Sequence, residues 1–160
     1  MAQEQHIKLF TRAIQKVLTP DLLNAKWAAR NAEPGADPLT GYCYPAAEAL
    51  YYLLGGKQAG WKPVVLSHKD WPEGLPEEDD THRFLEHEDG TIADPSAGQF
   101  GKLKIPYEKG RGSGFMTKDP SKRAQTILER LGVEDPLKPA SLQSWATKAA
   151  SGKTTASRQR

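Results

Sequence analysis

The sequence predicts an α+β domain: helices first, a short antiparallel sheet in the middle and a helix after it. Three observations carry this. Apolar residues recur at helical spacing near the start, an extended apolar run precedes a hairpin signal between residues 62 and 95, and a capped amphipathic segment follows residue 119. Helices segregated from strands in this way argue against a wound parallel sheet.

Ile7, Phe10, Ile14 and Val17 predict an amphipathic helix over residues 4 to 18. Thr19-Pro20-Asp21 reads as an N-cap with proline at the first helical position, opening a second helix that runs to about Arg30. Asn31 to Thr40 contains Pro34, Gly35 and Pro38 and is a loop. A third helix starts near Cys43 and stops at Gly55-Gly56, with Cys43, Ala46, Ala47, Leu50 and Leu54 as its apolar stripe. Lys62 to Ser67 is a strand, Trp71 to Asp80 a proline-rich acidic loop, and residues 81 to 95 a hairpin. A short strand is expected around Lys104 to Tyr107, and Gly110 to Gly114 reads as a loop. Asp119-Pro120-Ser121 has N-cap chemistry and opens a last helix, with Ala124, Ile127, Leu128 and Leu131 inward and Gly132 as its stop. Residues 1 to 136 then form one catalytic-type domain. Residues 137 to 160, rich in Lys, Ala, Ser and Thr, read as a basic disordered tail with one weak helical turn around Trp145.

Composition bounds the function. The net charge is +2, but residues 138 to 160 hold five bases and no acid, leaving 17 bases against 20 acids before them. A mildly acidic body with a basic end is not the footprint of a dedicated nucleic-acid-binding domain, so no specific nucleic-acid partner is expected. The first residues lack a signal-peptide pattern and no stretch has the apolar length of a membrane span. The single cysteine, Cys43, fits a reducing compartment, so the expected location is the cytoplasm. One cysteine and scattered histidines form no closed zinc site, and no cofactor or metal is expected. Ser151-Gly152-Lys153-Thr154 imitates the end of a phosphate-binding loop, but position 147 is Thr where the earlier glycine is required.

Cys43 stands where a glycine-containing loop turns into a helix. First-turn N–H groups and the positive end of the helix dipole favour a thiolate there, and a nearby imidazolium favours it further. Equally, a lone cysteine on an apolar stripe is ordinarily a small core residue. The hairpin favours the first reading. Glu88-Asp89-Gly90 suits a three-residue loop closed by a left-handed glycine, which pairs 87 with 91 and 84 with 94. His82 and Asp94 then share a face on adjacent strands, where a carboxylate can orient an imidazole. A two-residue loop at Asp89-Gly90 would put Asp94 on the opposite face.

These segments carry a resemblance. Gly41-x-Cys43-Tyr44 leading a helix, then Thr81-His82-x-Phe84-Leu85, Asp89-Gly90-Thr91-Ile92 and Ala93-Asp94-Pro95-Ser96, is similar to the Cys–His–Asp core of the papain-like and transglutaminase-like superfamily. It also resembles small bacteriophage-type proteins that share this core, for which the location would be the host cytoplasm. The resemblance spans roughly residues 38 to 100 and implies a helix-borne cysteine packed on a short antiparallel sheet. It implies Cys43 as nucleophile, His82 as general base and then acid, and Asp94 as orienting group. The implied activity is a thiol-dependent hydrolase or acyltransferase of amidase, deamidase or narrow peptidase type, acting on a peptide, protein conjugate or small amide or ester. Papain-type peptidases bring an upstream glutamine to the oxyanion; the loop before Cys43 offers none, leaving Asn31 or Thr40 as substitutes.

Tyr42 and Tyr44 beside the cysteine, with Trp61, Arg111 and Lys118, are the candidate substrate-binding residues. Trp61 and Trp71 flank the acidic loop and are placed to wall a cleft, though buried packing is the commoner fate of tryptophan. The glycine-rich segment with Arg111, Lys118 and Arg123 suggests an anion site, against which Asp119 at the cap position already occupies the helix N–H groups. The competing reading of the chain is a non-enzymatic phage-type inhibitor that captures a host protein or an anionic nucleotide-like ligand.

Overall fold

In the computed structural model, which describes residues 2–72, 75 and 80–152, the chain is a mixed α+β fold with five helices and a four-stranded antiparallel sheet. The helices are α1 (Ala2–Lys16), α2 (Ala25–Asn31), α3 (Cys43–Leu53), α4 (Lys122–Leu131) and α5 (Pro139–Ala150). The strands are β1 (Trp61–Ser67), β2 (Thr81–His87), β3 (Ile92–Ala93) and β4 (Arg111–Gly112), in spatial order β3-β2-β1-β4. No helix among the described residues is long and apolar enough to cross a membrane.

The sheet separates two cores, as strand alternation requires. Trp61, Leu85 and Ala93 face the helices, where Phe10, Ile14, Leu50, Ile127 and Leu128 complete the larger core. Val64, Leu66 and Phe84 face the other way, against Trp71 and Leu75, with Phe100, Ile105 and Tyr107 packed around them. Helix α3 is the centre of the molecule: Pro45 to Leu50 and Leu53 are all buried, so it is covered on nearly every side rather than along one stripe. Its one buried acid, Glu48, accepts hydrogen bonds from the Ser121 N–H at 2.8 Å and hydroxyl at 2.6 Å, tying α3 to the start of α4.

Four expectations change. Thr19-Pro20-Asp21 does not open a long second helix; Pro20–Leu22 is one 3-10 turn, and α2 starts afresh behind Asn24, whose side chain accepts from the Trp27 N–H at 3.0 Å. The strand expected around Lys104 to Tyr107 is absent, and the glycine-rich segment supplies β4 instead, with Arg111 opposite Val65. Helix α4 is capped by Ser121, not Asp119. Within the tail expected over 137–160, residues Pro139–Ala150 form α5, which buries Leu142, Trp145 and Ala149 in the main core, so the boundary at 136 does not divide folded from unfolded chain. Most of the acidic loop, residues 73, 74 and 76–79, and residues 153–160 of the basic tail lie outside the described residues.

Candidate active site

The hairpin fixes the first two site residues. Leu85 pairs with Ala93 and Glu86 with Ile92, so 84 stands opposite 94, the register of the three-residue loop. Gly90 takes φ +93°, and its N–H reaches the His87 carbonyl at 2.8 Å. His82 and Asp94 therefore lie on one face, and His82 Nε2 meets Asp94 Oδ2 at 2.7 Å. Both side chains are buried, exposed by 1% and 3%.

Cys43 is the first residue of α3, whose first-turn N–H groups have no intrahelical acceptor. Its Sγ lies 3.9 Å from the carbonyl oxygen of Thr81, the residue before His82, and the thiol is half-buried. The structure thus brings Cys43, His82 and Asp94 together, with Cys43 the member that solvent reaches.

Burial by itself disfavours a charged imidazole, but the hydrogen bond that His82 donates to Asp94 and the adjacent Cys43 outweigh it and raise His82 to about 9. At neutral pH the ring is an imidazolium with two N–H donors. One is spent on Asp94. The other nitrogen, Nδ1, is buried with no well-formed hydrogen bond among the described residues, and Cys43 is the neighbour whose charge it feels. A buried N–H left without an acceptor is costly, so an anion beside Nδ1 is favoured.

Residues around the pair hold it in place. Phe100 meets the His82 ring edge-on at 4.7 Å, Trp71 lies 6.4 Å away, and Phe84 stacks at 6.0 Å. Tyr107 donates its hydroxyl to Asp94 Oδ2 at 2.8 Å, the oxygen that also meets His82, and burial raises its own pKa. Gln15 on α1 donates to the Pro95 carbonyl at 3.0 Å, anchoring the chain just after Asp94. Sequence reasoning missed both. Nothing local marks Tyr107, and Gln15 is an ordinary exposed residue of α1 whose partner lies 80 positions away.

The other candidates divide. Asn31 Nδ2 gives its two protons to the carbonyls of Pro38 and Thr40, so it braces the loop leading to Cys43 instead of serving an oxyanion. Thr40 contributes its carbonyl to that brace. Tyr42 and Trp61 are 2% and 4% exposed in the helix-side core, which corrects their assignment to substrate binding. Tyr44 is half-buried, accepts from the Met116 N–H at 2.6 Å and carries Arg83 on its ring. Arg111 sits on edge strand β4 and pairs with Asp70 at 3.0 Å. Lys118 is exposed, its carbonyl accepting from Tyr52 Oη at 3.4 Å. No group of His, Cys, Asp and Glu among the described residues is arranged to hold a metal ion.

No protein-family model matches the chain, and no curated protein or solved structure matches it either.

Proposed function

We propose that the domain is a thiol-dependent hydrolase or acyltransferase of amidase, deamidase or narrow peptidase type, with Cys43 as nucleophile, His82 as proton carrier and Asp94 as orienting group. The observation that carries this reading is the buried 2.7 Å contact between His82 Nε2 and Asp94 Oδ2, beside a half-buried thiol at a helix start. The resemblance of residues 38 to 100 to papain-like and transglutaminase-like enzymes supports the same roles.

In this reading the Cys43 thiolate attacks a carbonyl carbon and the carbonyl oxygen takes the negative charge. The N–H of Cys43, at the first position of α3, is placed to stabilise that oxyanion. As the tetrahedral adduct collapses, His82 passes its Nδ1 proton to the departing amine or alkoxide, leaving a thioester on Cys43 and a neutral imidazole. Water or an amine then attacks the thioester, giving a proton back to His82, and the Cys43 thiolate is released. Asp94 keeps its bond to Nε2 throughout, which presents Nδ1 to sulfur and supports the positive ring.

The test is an activated acyl ester, p-nitrophenyl acetate. A burst of p-nitrophenol equivalent to the protein, with an acetyl thioester on Cys43 by mass spectrometry and no burst in Cys43→Ala, is the expected result. Linear release that is unchanged in Cys43→Ala overturns the reading.

A further inference from the structure

Two arginines lie against the ring of Tyr44, the residue after Cys43. Arg83 Cζ is 4.7 Å from the ring centroid and Arg123 Cζ is 5.8 Å from it. They come from separate elements: Arg83 follows His82 on β2, and Arg123 stands in the first turn of α4. Both are half-buried. Three other arginines have carboxylates: Arg30 pairs with Asp80, Arg111 with Asp70 and Arg130 with Asp21. Among the described residues no carboxylate pairs with Arg83 or Arg123.

The protein satisfies these two guanidinium groups only in part. Arg83 gives Nη1 to the Ser113 carbonyl at 2.9 Å and Nη2 to the Ser113 hydroxyl at 3.3 Å. Arg123 gives Nη1 to the Leu22 carbonyl at 3.0 Å. A guanidinium has five N–H donors, so each retains donors for a ligand. Two like charges partly withdrawn from water on one aromatic ring repel each other, and the arrangement is relieved when an anion sits between or beside them. The neutral hydrogen bonds fix their orientation without cancelling their charge, which is what a preorganised anion subsite requires.

We propose that Arg83 and Arg123, flanking Tyr44, form an anion-recognition subsite of the Cys43 centre, so that the acyl donor carries a carboxylate or phosphate group close to its reacting carbonyl. The proposal rests on the reading of Cys43 as nucleophile. It moves the anion site suggested by Arg111, Lys118 and Arg123 to a pair of arginines that no carboxylate among the described residues pairs with.

The test compares alkylation of Cys43 by iodoacetate, which bears a carboxylate, and by neutral iodoacetamide, with the rate ratio normalised to that of 2-mercaptoethanol. The normalised ratio is expected to exceed unity by about 10-fold or more in the wild type, the worth of one charge-assisted hydrogen bond, and to fall towards unity in Arg83→Gln and in Arg123→Gln. Arg83 also holds Ser113, so a second measurement uses the wild type alone: succinate and inorganic phosphate are tested as protectants against iodoacetamide. Saturable protection by either is expected, and the better protectant names the anion. A wild-type ratio near unity without protection overturns the proposal, as does a ratio that both variants leave unchanged. Slow iodoacetamide labelling of the folded wild type would instead overturn the nucleophile reading, so the two failures are distinct.

Discussion

Trp145→Ala is expected to cost about 3–5 kcal/mol of unfolding free energy, the usual range for truncating a buried aromatic. Trp145 is 5% exposed, its Nε1 donates to the Leu131 carbonyl at 2.8 Å, and its ring lies 5.5 Å from that of Phe10. One side chain therefore joins α5 to the end of α4 and to α1. Removing it opens a cavity at that junction and strips a carbonyl at the end of α4 of its donor. Urea unfolding of the wild type and the variant measures the difference. A loss below about 0.5 kcal/mol, typical of an exposed position, would mean that α5 is not docked.

The second large effect is a pH dependence. His82 rises from 6.5 unfolded to about 9 folded, because Asp94 and Cys43 together outweigh the burial that opposes its charge. A folded-state pKa above the unfolded one means that the native state holds the proton more tightly. The stabilisation is therefore complete below about pH 6.5 and lost as pH rises through 9. Taken for the ring alone, its size over that window is on the order of 3 kcal/mol, at 1.36 kcal/mol for each pKa unit. In the Cys43→Ala background, where no thiol titrates alongside the ring, urea midpoints are expected to fall as pH rises above about 6.5 and to fall much less when His82→Gln is added. The His82 ring signal in an NMR titration is expected to move near pH 9, and to move lower in Cys43→Ala, which removes one of the two raising influences. A wild-type midpoint titrating near 6.5 would show the pairing to be without effect.

Much of the site was legible because it depends on counting along the chain. The loop Glu88-Asp89-Gly90 sets the hairpin register, and that register alone puts His82 and Asp94 on one face. The start of α3 at Cys43 follows from the glycine-containing loop before it, and the inward residues Ala124, Ile127, Leu128 and Leu131 of α4 follow from helical spacing. What escaped depends on contacts distant in sequence. Strand β4 is only Arg111 and Gly112, in a glycine-rich segment without strand propensity, because pairing to the edge of β1 needs backbone alone. A Cβ on Gly110 would collide with Val64 and come within 2.9 Å of Phe84 Cζ, so the glycine is what lets this segment lie against the sheet. The same segment carries Tyr107 to Asp94. In α5 the Lys, Ala, Ser and Thr background hid Leu142, Trp145 and Ala149, whose spacing of three and four is helical. The burial of Tyr42 and Trp61 likewise follows from how α1 and α3 pack on the sheet, which no local pattern announces.

The central claim is that Cys43 and His82 act as one ion pair in the folded protein. The most direct test is the rate of iodoacetamide alkylation of Cys43 in native protein across about pH 5 to 10, measured beside His82→Ala, against a free-cysteine pKa of about 8.5. The account predicts fast labelling that persists well into the acidic range, and a loss of about 10- to 100-fold near pH 6 in His82→Ala. A wild-type profile like that of an ordinary thiol and unchanged in His82→Ala, or labelling only after unfolding, would contradict it.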